Sequence, residues 1–182
     1  MPFHEIPDPR PQIDALLTQT RQNLVRLTQA ADSKAHILIV ISVFTLNIAL
    51  TQIGHEVLRY AAVVLLVQSF ITVIFASLSI MPKLIEGDQR MENVHEDTTL
   101  QSIFAGYFIK YDFDTFTKLM ANTLSDPKRT YLIQFREIYD SGYILIEKKM
   151  KYIRYAFISL LVGIGIAIIV LGLTILFKTI NP

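Results

Sequence analysis

The chain contains no cysteine and no tryptophan. Without cysteine it can form no disulfide, no Cys-ligated zinc site and no thiol nucleophile. Without tryptophan, tyrosine and phenylalanine are the aromatics left to mark a membrane surface. A strong net charge is also missing. The formal value is +1, so no global field draws in a nucleic-acid polymer. Catalytic signatures are absent too. There is no Gly-x-Ser-x-Gly and no glycine-rich phosphate loop, His95-Glu96 is not followed by a second histidine at metal spacing, and Glu92 and Glu96 read as solvated. An enzyme is not expected. The first 30 residues hold no apolar run, so no cleavable signal peptide is expected either. The most informative absence is local: residues 35–53, 60–81 and 156–177 contain no Asp, Glu, Lys or Arg.

What fills those stretches is apolar. Hydrophobic residues make up 52% of the chain and the mean hydropathy is +0.41, values of a membrane protein. At about 1.5 Å per residue, 156–177 extends about 33 Å, enough to cross the hydrocarbon core. The chain is therefore expected to be an all-α integral membrane protein with three transmembrane helices. Only Gly54–Arg59 separates the first two, which predicts a tight hairpin, and Pro82 ends the second. Lysine and arginine set the orientation. Residues 1–34 carry four, the hairpin one, residues 82–155 eleven and the tail 178–182 one. The positive-inside rule then places the N-terminus and 82–155 in the cytoplasm and the C-terminus outside, in the cell inner membrane.

Residues 1–34 begin with a proline-bearing segment, followed by an amphipathic helix with Ile13, Leu16, Leu17, Leu24, Leu27 and Ala31 on one face. It either packs on a partner helix or lies on the lipid surface. Residues 82–155 form a small cytosolic helical domain. Within it, Glu86–Thr99 is charged and loop-like, and Asp112 or Asp114 caps a short helix through Leu124. Asp126-Pro127 then starts a helix, and no proline follows until Pro182. The third span is thus predicted to be continuous with a long cytosolic helix. In that helix Tyr131, Ile138, Leu145 and Tyr152 recur every seven residues, a side that stays turned to one partner.

Small and polar residues mark the spans. Ser42, Thr45, Ala49 and Gln52 share a face of the first, and Gln68, Thr72, Ala76 and Ser79 a face of the second. Such stripes either bond neighbouring helices or line a wet path. Ser159, Gly163 and Ala167 give the third span a small-xxx-small face for close approach, within a three-helix unit or a homo-oligomer. Asn47 stands off the first stripe, where it can contact another subunit. Asp32 and Lys34 sit where the amphipathic helix meets the membrane. A charge there needs a partner, and the basic collar at Lys149 or Arg154 can supply one for Asp32. The four form a candidate latch between two helices, or plain flanking charges with Lys34 snorkelling.

Three patterns carry a resemblance: Ala31-Asp32-Ser33-Lys34-Ala35; Phe104-Ala105-Gly106-Tyr107-Phe108; and Arg136-Glu137-Ile138-Tyr139, then Gly142, Lys149 and Ile153-Arg154-Tyr155-Ala156. In this order, around three spans, the chain resembles the Pycsar transmembrane effector family of small bacterial anti-phage membrane proteins over about residues 14–175. The resemblance implies activation by cyclic CMP or cyclic UMP made by a partner cyclase. It further implies disruption of the inner membrane and arrest of growth before phage release. No classical cyclic-nucleotide-binding barrel is legible, so the sensing site lies in 82–155 in another form or at an oligomer interface. Candidate anion contacts are Lys110, Lys128, Arg129 and Arg136, with Tyr131 or Tyr139 to stack a base. The alternative is a membrane-anchored scaffold without ligand-gated membrane disruption. A carrier is disfavoured because no span holds a mid-membrane ionisable group.

Overall fold

A computed structural model describes residues 10–81 and 111–180. Among these every regular element is helical: α1 (Pro11–Gln52), α2 (Arg59–Ile80), α3 (Phe113–Leu124), α4 (Pro127–Tyr143), a π-helical segment (Ile144–Met150) and α5 (Lys151–Ile180). The chain divides into a polar unit, Met1–Arg26 with Pro82–Ile144, and an apolar unit, Leu27–Met81 with Leu145–Pro182.

In the polar unit the local chemistry at helix starts is plain. Asp112 caps α3, accepting from the Thr115 amide at 3.2 Å, and Asp126 caps α4, accepting from the Lys128 amide at 2.9 Å. Pro127 occupies the first turn, where its missing N–H costs nothing. The start of α1 is tied to α4 by polar contacts. Tyr131 donates its hydroxyl proton to Asp14 Oδ1 at 2.7 Å, and Arg21 pairs with Glu137. Leu24 lies against Gly142. The amphipathic stretch of α1 thus packs on a partner helix.

The apolar unit is built inside out relative to a water-soluble bundle. Ala35, Ser42 and Ala49 of α1 are buried, seven residues apart; so are Ala62, Ser69 and Ala76 of α2, and Ile153, Leu160 and Ala167 of α5. Phe44, Phe70, Ile168, Ile169 and Leu173 face outward. Lipid imposes that distribution, because the acyl chains solvate large apolar side chains and helices gain by close contact of small ones. Three helices, Pro11–Gln52, Arg59–Ile80 and Pro127–Ile180, are long and apolar enough to cross a membrane. At 42 residues α1 measures about 63 Å, roughly twice the hydrocarbon thickness, so half of it stands outside. The turn after α1 is closed by the Arg59 amide on the His55 carbonyl at 2.9 Å.

The last helix runs 54 residues without a break, from Pro127 to Ile180. It is not a uniform rod. Ile144–Met150 adopts the i→i+5 pattern. Burial explains why. Tyr131 and Leu145 are buried and Ile138 is half-buried, in seven-residue steps, but the next buried position is Ile153 rather than Tyr152. The step from Leu145 is eight, after which Leu160 and Ala167 resume the seven-residue spacing. The π segment absorbs the extra residue.

Candidate functional site

In the polar unit the candidate anion contacts lie along α4, except Lys110, which falls outside the described residues, as does the Phe104–Phe108 motif. So do the Glu86–Thr99 stretch, Glu92, His95 and Glu96. Lys128 is exposed on the first turn of α4. Arg129 lies with its Nε 3.7 Å from Asp126 Oδ2, and Arg136 donates from Nε to Asp140 Oδ2 at 3.1 Å. Among the described residues these Nε contacts are the ones that occupy the two guanidinium groups. Their terminal nitrogens keep the paired donors that suit a phosphate. The two arginines are seven residues apart and share a helix face. Tyr139 follows Arg136 by three positions, beside it on the helix surface, and is 66% exposed.

The two tyrosines have different roles. Tyr131 is buried, hydrogen-bonded to Asp14 and stacked on Phe135 with ring centroids 6.4 Å apart. Its ring serves the packing of α1 on α4, whereas the ring of Tyr139 is exposed. The carboxylate beside Tyr131, together with burial, raises the pKa of its phenol. The Asp112 carboxyl is held below its usual range by its bonds to Thr115.

In the apolar unit the charged cluster at the membrane edge is assembled. Lys149 Nζ lies 2.7 Å and 2.8 Å from the two carboxylate oxygens of Asp32. This joins α1 to the π segment. Both side chains are partly buried, at 15% and 32% exposure, so screening weakens the pair less than at an open surface. Lys34 and Arg154 are exposed and stand elsewhere, on the rim of a groove between α1 and α5. Ser79 Oγ donates to the Lys149 carbonyl at 3.2 Å. The π segment is therefore held from α1 through a side chain and from α2 through a backbone carbonyl. Phe75 and Tyr155 pack at 5.8 Å on the same level.

Deeper in the unit lie the polar stripes. Gln68, Thr72 and Ser79 are buried, as is Ser42, while Thr45, Gln52 and Ser159 are half-buried. Gln68 Nε2 donates to Thr72 Oγ1 at 3.2 Å, and Thr72 Oγ1 donates to Ser159 Oγ at 3.3 Å. Gly163 lies so close to Gln68 that an added Cβ would sit 1.8 Å from its Cγ. Gly163 and Ala167 are both buried in the helix contact. The second stripe is joined to the third span through Thr72 and Ser159. Yet Ser42 Oγ, Ser69 Oγ and Gln68 Oε1 are buried with no hydrogen-bond partner among the described residues. At the far end Lys178 pairs with Glu56 at 2.9 Å and lowers the pKa of that carboxyl.

Sequence reasoning missed the Asp14–Tyr131 and Arg21–Glu137 contacts, since nothing in spacing alone pairs residues so far apart. It also missed the π segment, whose one signal was the eight-residue step from Leu145 to Ile153. Among the described residues no group of three His, Asp or Glu side chains forms a metal cage.

The chain matches no curated protein and no solved structure. It does match the family described as Pycsar effector protein domain, over residues 15–177, most of its length. The protein belongs to the Pycsar effector family and is a multi-pass membrane effector of cyclic-nucleotide-linked anti-phage defence.

Proposed function

We propose that a cyclic pyrimidine nucleotide, cyclic CMP or cyclic UMP made by a partner cyclase, binds the polar unit and causes the apolar unit to breach the inner membrane. Growth then stops before phage release. The observation that carries this reading is the π segment: the long helix departs from α geometry at Ile144–Met150, between the candidate anion contacts and the third span. π segments concentrate at functional sites because the widened turn stores an alternative register. A phosphate held by the free terminal nitrogens of Arg136 or Arg129, with its base on Tyr139, draws on donors that Asp126 and Asp140 leave unused. Lys128 adds charge on the same helix, and Lys110 remains a candidate outside the described residues.

Binding at α4 shifts the helix, and the shift is taken up in the π segment where Asp32–Lys149 and Ser79 hold it. Release of that latch lets the three spans repack. The unpartnered Ser42, Ser69 and Gln68 oxygens favour repacking, because buried polar atoms gain on meeting water or a neighbour. Asn47, exposed on the outer face of α1 with its amide on the Val43 carbonyl at 3.0 Å, supports a homo-oligomer as the breached form. The lysine and arginine distribution supports a cytoplasmic N-terminus and polar unit and an external C-terminus.

The test is membrane potential in cells expressing the full chain. Supplying cyclic CMP or cyclic UMP should collapse it, and Arg136→Gln should blunt the response. A scaffold would leave the potential unchanged with every nucleotide.

A further inference from the structure

A groove of about 850 Å³ runs along the apolar unit between α1, the π segment and the start of α5. Its floor includes Ile37, Ile41 and Phe157, and its rim carries Lys34, Lys151 and Arg154. Among the described residues, none of these three cations takes part in an ion pair. One carboxylate, Glu147, also lines the groove. Lys34 immediately precedes the charge-free stretch 35–53, and Lys151 and Arg154 precede 156–177. The cations therefore stand at one membrane surface, and the apolar floor leads from them into hydrocarbon.

We propose that this groove seats an anionic phospholipid, its phosphate held by Lys34, Lys151 and Arg154 and an acyl chain lying along Ile37, Ile41 and Phe157. Three cations against the single carboxylate Glu147 leave the groove with an excess of positive charge that a bound phosphate would offset. The volume falls within the roughly 300–1,000 Å³ of ordinary ligand sites. Basic pockets between spanning helices at the membrane edge are where anionic headgroups bind. A second copy of the chain is a poorer occupant, because it would bring the same face, three cations against the one carboxylate Glu147, and like charges repel. The lipid would bridge α1 and the π segment, and so brace the turn that the latch also holds. This inference needs the membrane setting but not the nucleotide reading.

The test uses the full chain in neutral detergent, with lipid retention read by native mass spectrometry. Phosphatidylglycerol and phosphatidylcholine with identical acyl chains are compared. Phosphatidylglycerol should be retained selectively, and each of K34Q, K151Q and R154Q should weaken retention about fivefold. K118Q, which removes one charge elsewhere, should not. Equal retention of the two lipids, or wild-type selectivity in a single variant with wild-type helicity, overturns the proposal. Complete displacement by glycerol phosphate does so too, since it would reveal a plain anion site without the apolar half. A dimer that excludes lipid would assign the groove to a second copy and equally overturn it.

Discussion

Gly163 shows what one residue contributes to the interior. A methyl group there would collide with Cγ and Cβ of Gln68, which are not the free end of that side chain. Overpacking of this kind costs about 1–3 kcal/mol. The interhelical hydrogen bond from Thr72 to Ser159 is worth about 0.6 kcal/mol. Close approach thus outweighs the hydrogen bond, and Gly163→Ala should lower the melting temperature in detergent more than Ser159→Ala. Gly172→Ala, where a Cβ meets nothing within 4 Å, should change little. Asp32→Asn removes a charged partner from a partly buried amine, a loss of about 1–3 kcal/mol. A double-mutant cycle with Lys149→Gln should return a coupling of the same sign, and additive effects would show that the pair holds nothing. Tyr131 gives a pH signature. Its pKa is raised in the fold, so its contribution is complete below the ordinary tyrosine value of about 10 and is lost as pH climbs past it. Unfolding of the polar unit followed by circular dichroism should steepen above that pH in the wild type and not in Tyr131→Phe.

At the scale of elements, the spans were legible because their signals are local. Charge-free length, a proline stop and an Asp-Pro start are read from neighbouring residues, and α2, α3 and α4 begin or end close to those marks. The stripes were legible as faces, because spacing on a helix decides which residues share a side. Their destination was not, since spacing cannot say whether a face meets a helix, water or lipid. The continuity suggested by the lack of proline holds from Pro127 to Ile180; the π segment within it follows from packing on both sides of Leu145 rather than from a helix breaker. Of the candidate anion contacts, Tyr131 could not be told from Tyr139, because the difference lies in Asp14, more than a hundred positions away. The π segment yields a prediction of its own. Deleting Lys148 restores a seven-residue step from Leu145 to the next buried position and should convert the turn to α-helix. The variant should insert and melt like the wild type yet lose its response to nucleotide. An unchanged response would reduce the segment to a spacer.

For the whole molecule, α1 and the long helix each pass from the polar unit into the apolar one. Each unit holds the two together with its own contacts: Asp14–Tyr131 and Arg21–Glu137 in the first, Asp32–Lys149 in the second. In the proposed reading, a nucleotide bound at α4 has a covalent route to the third span through the long helix. The most direct measurement is dye release from sealed proteoliposomes that carry the full chain with the polar unit outward. Cyclic CMP or cyclic UMP should release the dye, linear CMP and UMP should not, and Asp32→Asn should lower the nucleotide concentration needed. Vesicles that stay sealed at saturating cyclic pyrimidine, with the protein inserted and folded, would contradict the account.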